Sequence, residues 1–262
     1  TISIGDSGVE ISNLTPKAEG GDATVYENAL DDGGSNPASN NETGAGTFNI
    51  SAPDGVATVT IGGTTVISNG ALVASPTFTT GMGNTFTVTG YNETTGEISY
   101  TYTLTDNEDH PTADGTNNLF EDLAVVVTDR DGDDDTATLT VKIVDDVPVA
   151  AADTDAVAAG EYGPVSGNVM TGVGSDGNAA GADTAGADGA VVSSIVATTA
   201  GGDATDVGTG TVVEGEYGKL TISDDGSYSY TRNDGTPGGV QDVFTYTIVD
   251  GDGDEATTTL TI

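Results

Sequence analysis

Two short stretches hold most of the chemistry this sequence can offer. Asp129, Asp131 and Asp133 stand two residues apart in TDRDGDDD, and Asp250, Asp252 and Asp254 repeat the spacing in VDGDGDE. On a tight turn that spacing aims several carboxylates into one small volume, where like charges repel unless a cation lies between them. Carboxylate oxygens without His or Cys beside them are hard ligands, and they select calcium over zinc or copper. The spacing begins like a helical calcium-hand loop, which needs Glu at its twelfth position. Counting from Asp129 and from Asp250 reaches Thr140 and Thr261 instead, so that motif is excluded. An ordinary polar hairpin also uses Asp-Gly sequences with no metal. Two equivalent turns, two acidic linkers and the overall charge favour calcium.

The elements that must position these aspartates are strands. After the first turn, Ala137, Leu139, Val141 and Ile143 share one face and Thr136, Thr138, Thr140 and Lys142 the other, the two-residue period of a half-buried strand. An acidic linker with Asp145 and Asp146, closed by Pro148, follows. The unit recurs at 249–262, and Thr1-Ile2-Ser3-Ile4-Gly5-Asp6 matches Thr140-Val141-Lys142-Ile143-Val144-Asp145. Ile4, Ile143 and Ile262 thus mark equivalent strand ends, one domain length apart. The boundaries expected are 1–145 and 146–262, and the chain reads as a cut from a longer tandem array.

Within the first repeat the alternation predicts strands at 56–61, 64–67, 85–88 and 98–104. Leu123, Val125 and Val127 lie in the penultimate strand, joined to the last by the Asp-rich turn as a hairpin. In the second, 191–197 and 219–222 read as strands, Tyr228 and Tyr230 fall where Ile98 and Tyr100 sit, and Val165-Ser-Gly-Asn-Val-Met170 resembles Val25-Tyr-Glu-Asn-Ala-Leu30. The Gly, Ala and Asp run at 171–189 predicts a long surface loop, with calcium binding through Asp183 or Asp188 the minor alternative. No stretch has a helical period. The fold class expected is all-β, two tandem β-sandwich domains.

In such a sandwich the hairpin before the last strand lies at the end where the chain comes in. Asp250, Asp252 and Asp254 should therefore face the linker carrying Asp145 and Asp146, and Asp129, Asp131 and Asp133 should face Asp6. The expectation is calcium at each junction, with neighbouring repeats of the same chain as the partners. Glu161 or Asp22 could contribute as well.

Composition narrows the alternatives. With 42 acidic residues against 5 basic ones the net charge is −37, which argues against nucleic acid and anionic membrane surfaces. Cysteine is absent, no apolar run approaches the length of a membrane span, and no signal peptide is seen, so neither a disulfide staple nor membrane insertion is expected. The single histidine, His110, lies in a polar loop and reads as an exposed loop residue. The Asp groups are duplicated rather than gathered in one cleft, so no enzyme is expected. A glycan-binding or protein-binding adhesin module is the competing reading. The lack of Trp weakens it, with Tyr26, Tyr91, Tyr162 and Tyr217 as its possible contacts.

The pattern D-x-D-G-D, an alternating Thr-rich strand and then V-D-D-x-P resembles the tandem extender repeats of very long bacterial RTX adhesins secreted by the type I route, most specifically at 128–149 and 249–262. The resemblance implies cadherin-like or immunoglobulin-like sandwiches in an extended, monomeric rod on the bacterial cell surface. It further implies calcium at the junctions and a distal region that serves cell adhesion or biofilm formation. The copies differ in length, and Ala256 stands where the first has Asp135, which leaves a third shared turn carboxylate open.

Overall fold

The computed structural model describes residues 8–74, 76–111, 115–177 and 181–262; Asp6, one of the expected ligands, lies outside them. The chain divides into two compact units. One takes the described residues of Thr1–His110 and Thr116–Asp145, the other those of Pro111–Gly115 and Asp146–Ile262.

The first unit is built from β1 (Glu10–Ser12), β2 (Ala23–Tyr26), β3 (Thr43–Ser51), β4 (Val56–Ile61), β5 (Thr64–Ser68), β6 (Ala71–Leu72), β7 (Thr77–Thr79), β8 (Thr85–Asn92), β9 (Glu97–Thr103), β10 (Asn118–Asp129) and β11 (Asp134–Val144). They form two sheets, ordered β1-β3-β9-β8-β7 and β2-β11-β10-β4-β5-β6. Alternation along β10 and β11 sends Leu123, Val125, Val127, Leu139, Val141 and Ile143 into the space between the sheets. From the other sheet come Phe48, Phe86 and Tyr100, with the rings of Phe86 and Tyr100 stacked at 5.1 Å between centroids. Thr140 points away from the core yet is buried, because Asp122 accepts its hydroxyl at 2.7 Å and Asp22 its N–H at 2.8 Å.

The second unit has β12 (Asp153–Thr154), β13 (Val165–Asn168), β14 (Ala190–Ala197), β15 (Thr205–Asp206), β16 (Thr211–Glu214), β17 (Gly218–Ile222), β18 (Ser227–Arg232), β19 (Val243–Asp250) and β20 (Glu255–Thr261). Its sheets run β12-β20-β19-β14-β15 and β13-β18-β17-β16. Val192, Ile195, Leu220, Ile222, Tyr228, Tyr230, Phe244, Tyr246, Ile248 and Leu260 fill the core. In both units the last strand pairs antiparallel with its predecessor and parallel with a short opening strand, β2 on β11 and β12 on β20.

This pairing corrects one sequence equivalence. Val25 lies on β2 and pairs parallel with Ile143, whereas Val165 lies on β13 and pairs antiparallel with Tyr230. The stretch 165–170 therefore corresponds to the end of β3, not to β2. Two backbone bonds fix this: the Ile50 N–H reaches the Gly96 carbonyl at 2.9 Å, and the Val169 N–H reaches that of Gly226 at 3.0 Å. Matching letters in a Val-x-x-Asn pattern carried no register, because register is set by the sheet and not by local composition.

The expected loop at 171–189 has no strand of its own among its described residues, but it is tied down. Thr184 exchanges backbone bonds with Val149 at 2.8 and 2.9 Å, and the Asp183 carboxylate accepts the Ala151 N–H at 2.8 Å. Asp155, beside the opening strand, accepts the Ser175 hydroxyl at 2.9 Å. The side chains of Asp183 and Asp155 thus supply order that the loop's Gly and Ala could not.

Candidate metal centres

The two Asp-rich turns are built alike. Asp129 and Asp250 end their strands, and each donates its N–H to the carbonyl four residues on, at 3.0 and 3.1 Å. Gly132 (φ 108°) and Gly253 (φ 101°) take the left-handed conformation that lets the chain reverse. The Oδ1 of Asp129 accepts the N–H groups of Gly132 and Asp133, both at 2.9 Å, and the Oδ1 of Asp250 accepts those of Gly253 and Asp254 at 3.0 and 2.7 Å. A polar hairpin accounts for these Oδ1 bonds. It does not account for the other oxygens.

Asp129 is 2% exposed and Asp250 8%, yet the Oδ2 of each makes no hydrogen bond. In the second unit Oδ2 of Asp254 and both oxygens of Asp252 are likewise buried without hydrogen bonds. One oxygen from each of Asp250, Asp252 and Asp254 lies within 4.8 Å of the others. Burial, together with the neighbouring Asp252, pushes the Asp250 carboxyl up to about 7. Asp250 and Asp252 can bond only when one of them is protonated, so the bare pair must hold a proton, repel or share a cation.

In the first unit the converging carboxylates are Asp54, Asp129 and Asp131, while Asp133 is exposed and not among them. There burial works against the Asp129 charge, but the Asp131 side chain and then the turn N–H groups hold the carboxyl below its ordinary range. A Cβ on Gly55 would sit 3.2 Å from Arg130 Nε, so the Arg130 guanidinium packs against Gly55. The second unit has Gly251 where the first has Arg130, and its turn brings no cation of its own.

Asp54 was not anticipated from sequence, although a signal was there. Asp54-Gly55-Val56 leads into β4 and Asp188-Gly189-Ala190 into β14, the strands that pair with β10 and β19. Asp188 lies beside the second turn, since a Cβ on Gly251 would meet the Asp188 carbonyl oxygen at 3.2 Å. Asp146 is buried at the same end, with its carbonyl oxygen 2.4 Å from where a Gly186 Cβ would be. Asp145 is buried at the end of β11 remote from the 129–133 turn. Asp135 is held elsewhere: its Oδ2 accepts the Ile11 N–H of β1 at 2.8 Å, which explains why Ala256 can replace it without altering the turn. Asp22 serves the fold, accepting the N–H groups of Thr15 and Thr140. Glu161 is exposed.

His110 corrects the reading of an exposed loop residue, for it is only 6% exposed. Burial alone would lower its pKa. The Glu27 carboxylate 3.4 Å away, the bond to Asn117 and the charge of Asp145 outweigh burial and push it up to about 9. Loops read as polar from sequence can fold back over buried carboxylates, and nothing in Asn-Glu-Asp-His-Pro signals that.

A second buried acidic pair has a different character. The Tyr246 hydroxyl lies 2.7 Å from Asp153 Oδ2 and 3.0 Å from Asp183 Oδ2. Burial, helped by the Asp183 charge and opposed by the tyrosine bond, pushes Asp153 up to about 7. A carboxyl whose pKa is raised on folding gives stability that is complete below its unfolded value and is lost as pH rises through the folded one. Melts in chelator at stepped pH should show wild type losing stability relative to Asp153→Asn between about pH 4 and pH 7, by at most about 4 kcal/mol. Parallel curves for the two proteins would contradict it.

Residues 145–262 match the family model described as Bacterial Ig domain. No curated protein sequence matches the chain. Among solved structures, the N-terminal Ig1-2 module of the Drosophila receptor protein tyrosine phosphatase DLAR is 12% identical over 97% of this chain and 98% of that one, with a TM-score of 0.28. Drosophila N-cadherin EC1-4 is 13% identical over 91% of this chain and 46% of its own, at 0.28. Cadherin-like domains 1 to 4 of zebrafish RET are 10% identical over 98% and 50%, at 0.31. Likenesses at these scores assign neither ligand nor partner. The chain is all-β, each unit built of two sheets, with residues 145–262 similar to the bacterial Ig domain. Among the described residues no helix is long and apolar enough to cross a membrane.

Proposed function

We propose that this chain is a calcium-rigidified extender segment of a large bacterial surface adhesin. It acts as an extracellular spacer that projects a distal ligand-binding region for adhesion or biofilm formation. The observation that supports it most is the convergence of Asp250, Asp252 and Asp254, whose buried oxygens lack hydrogen bonds. Oxygen ligands of this number and charge suit calcium, and extracellular modules bind it at about 10⁻⁴ to 10⁻³ M. Asp145 and Asp146 of the linker would complete the coordination and join the repeats, and Asp54, Asp129 and Asp131 would do so toward a preceding one. A short acidic linker is loose when its carboxylates repel and fixed when they share an ion. The chain would work as a monomer, with no catalytic role.

Small-angle scattering in calcium and then in chelator tests the reading. The maximum dimension should fall, or the distance distribution broaden, when calcium is removed. Superimposable profiles would remove the basis for a calcium-set linker.

A ligand-binding module has one observation in its favour. Tyr162, Tyr217 and Tyr230 line a cavity of about 560 Å³ in the second unit, with the Arg232 guanidinium 5.2 Å from the centre of the Tyr162 ring. Two of the tyrosines expected as contacts thus share a cavity, the size of a small saccharide site. Binding of the intact chain to a glycan array would favour this second reading.

A further inference from the structure

The His110 neighbourhood holds ligand chemistry that the calcium reading does not use. Glu27 sits in the short 3-10 turn Glu27–Ala29 after β2, His110 in the loop after β9, and Asp145 directly after β11. All three belong to the first unit. Each offers one ligand atom within 4.8 Å of the other two, and all three residues are buried.

The hydrogen bonds leave definite atoms over. His110 Nδ1 lies 2.7 Å from Asn117 Oδ1, and an amide oxygen only accepts, so Nδ1 carries the hydrogen. The Asn117 amide nitrogen in turn donates to Asp145 Oδ2 at 3.5 Å. Asn117 therefore orients both the imidazole and the carboxylate, the role outer partners play around metal-bound histidines. His110 Nε2 is left pointing at Glu27 Oε1, 3.4 Å away, and makes no hydrogen bond. Glu27 is fully buried; its Oε1 accepts the Glu108 N–H at 2.7 Å, and its Oε2 has no hydrogen-bond partner.

We propose that Glu27, His110 and Asp145 form a site for a borderline divalent transition metal, of which zinc is the probe. An imidazole nitrogen with two carboxylates suits zinc and its neighbours, whereas calcium takes oxygen ligands. Two ligands each about 2.1 Å from a tetrahedral ion stand about 3.4 Å apart, the separation seen between His110 Nε2 and Glu27 Oε1. The ion replaces the Nε2 proton, which leaves to solvent. The second unit has no equivalent, since the chain has one histidine and it belongs to the first unit. The site shares Asp145 with the proposed calcium linker and otherwise stands apart from it.

Zinc titrated into the intact chain in millimolar calcium, followed by calorimetry and by the imidazole resonances of its one histidine, tests the site. The expected result is one zinc per chain and a shift of those resonances. His110→Gln should lose at least about 100-fold in zinc affinity, with calcium uptake intact, and Asn117→Ala about 10- to 100-fold. No zinc uptake by wild type, zinc uptake without an imidazole shift, or full affinity in a folded His110→Gln protein would each overturn the proposal. In that event His110 is the buried counter-ion of Glu27. Should His110→Gln fail to fold, the wild-type imidazole shift decides alone. Loss of calcium-dependent scattering changes with zinc binding retained would instead count against the extender reading.

Discussion

Asp252→Asn should stabilise the protein in chelator and destabilise it in calcium, relative to wild type. One oxygen from each of Asp250, Asp252 and Asp254 lies within 4.8 Å of the others, and several of their buried oxygens make no hydrogen bond. At an effective dielectric near 20, each pair of full charges at that separation costs about 3 kcal/mol, less whatever protonation of Asp250 relieves. Asparagine removes two of the three repulsions, so the metal-free variant gains. In calcium the balance reverses, because the same substitution removes a charged ligand. At free calcium about 100 times the dissociation constant a site contributes about 2.7 kcal/mol. For a unit of roughly this size that raises the midpoint by about 10 °C or more. Calorimetric scans in chelator and at about 10 to 100 mM calcium, roughly 100 times the dissociation constants typical of extracellular modules, one pair for each protein, read both signs. A variant that is weaker in both buffers would mean that Asp252 supports the turn and not an ion. Monovalent salt does not substitute as a control, since it screens the whole negative surface.

Gly96→Ala should cost the first unit at least about 3 kcal/mol, read as a fall in its urea midpoint in calcium-saturated buffer. Gly96 has φ 72°, a conformation that costs an L side chain about 1–2 kcal/mol. Its added Cβ would lie 1.9 Å from the carbonyl oxygen of Ile50, an approach only main-chain displacement relieves. That displacement endangers the bond from the Ile50 N–H to the Gly96 carbonyl, so strain and a lost hydrogen bond add. Gly226, the equivalent residue at φ 80°, would meet the Met170 Cγ at 2.6 Å, a side chain that can move, so Gly226→Ala should cost its unit less. Gly63→Ala isolates the conformational share alone, since Gly63 has φ 79° and nothing within 4 Å of the added atom. Equal losses at Gly96 and Gly63 would refute the steric part.

Where a residue's role follows from periodicity, the sequence could be read directly. Leu123, Val125 and Val127 and the face from Leu139 to Ile143 are buried as their alternation requires, and the fold class follows from them. The two Asp-rich turns were legible for the same reason, since Asp, Gly and spacing are local. What escaped was non-local. Asp54 reaches the first cluster only because β4 pairs with β10, and His110 is buried only because Glu27 and Asp145 come together beneath it. The pairing of Val165 with Tyr230 depends on which sheet a short segment joins, a choice made by long-range contacts. Asp183 lay in a stretch of low complexity, where no pattern separates a tether from filler.

The tether from Asp183 and Asp153 to Tyr246 has a consequence for an array of repeats. Linked copies meet at millimolar effective concentration, which invites exchange of strands between neighbours during folding. The hairpins align Leu139 with Leu260, so an opening strand from the first copy would bring Gly21, two residues before Ala23, to the place of Asp153 and leave the phenol of Tyr246 short of a partner. In the reverse exchange, the carboxylate of Asp155 would be buried where Ala23 is. Each copy thus rejects its sibling's strand through a polar group that only its own chain can satisfy, and divergence between repeats becomes protection against mispairing.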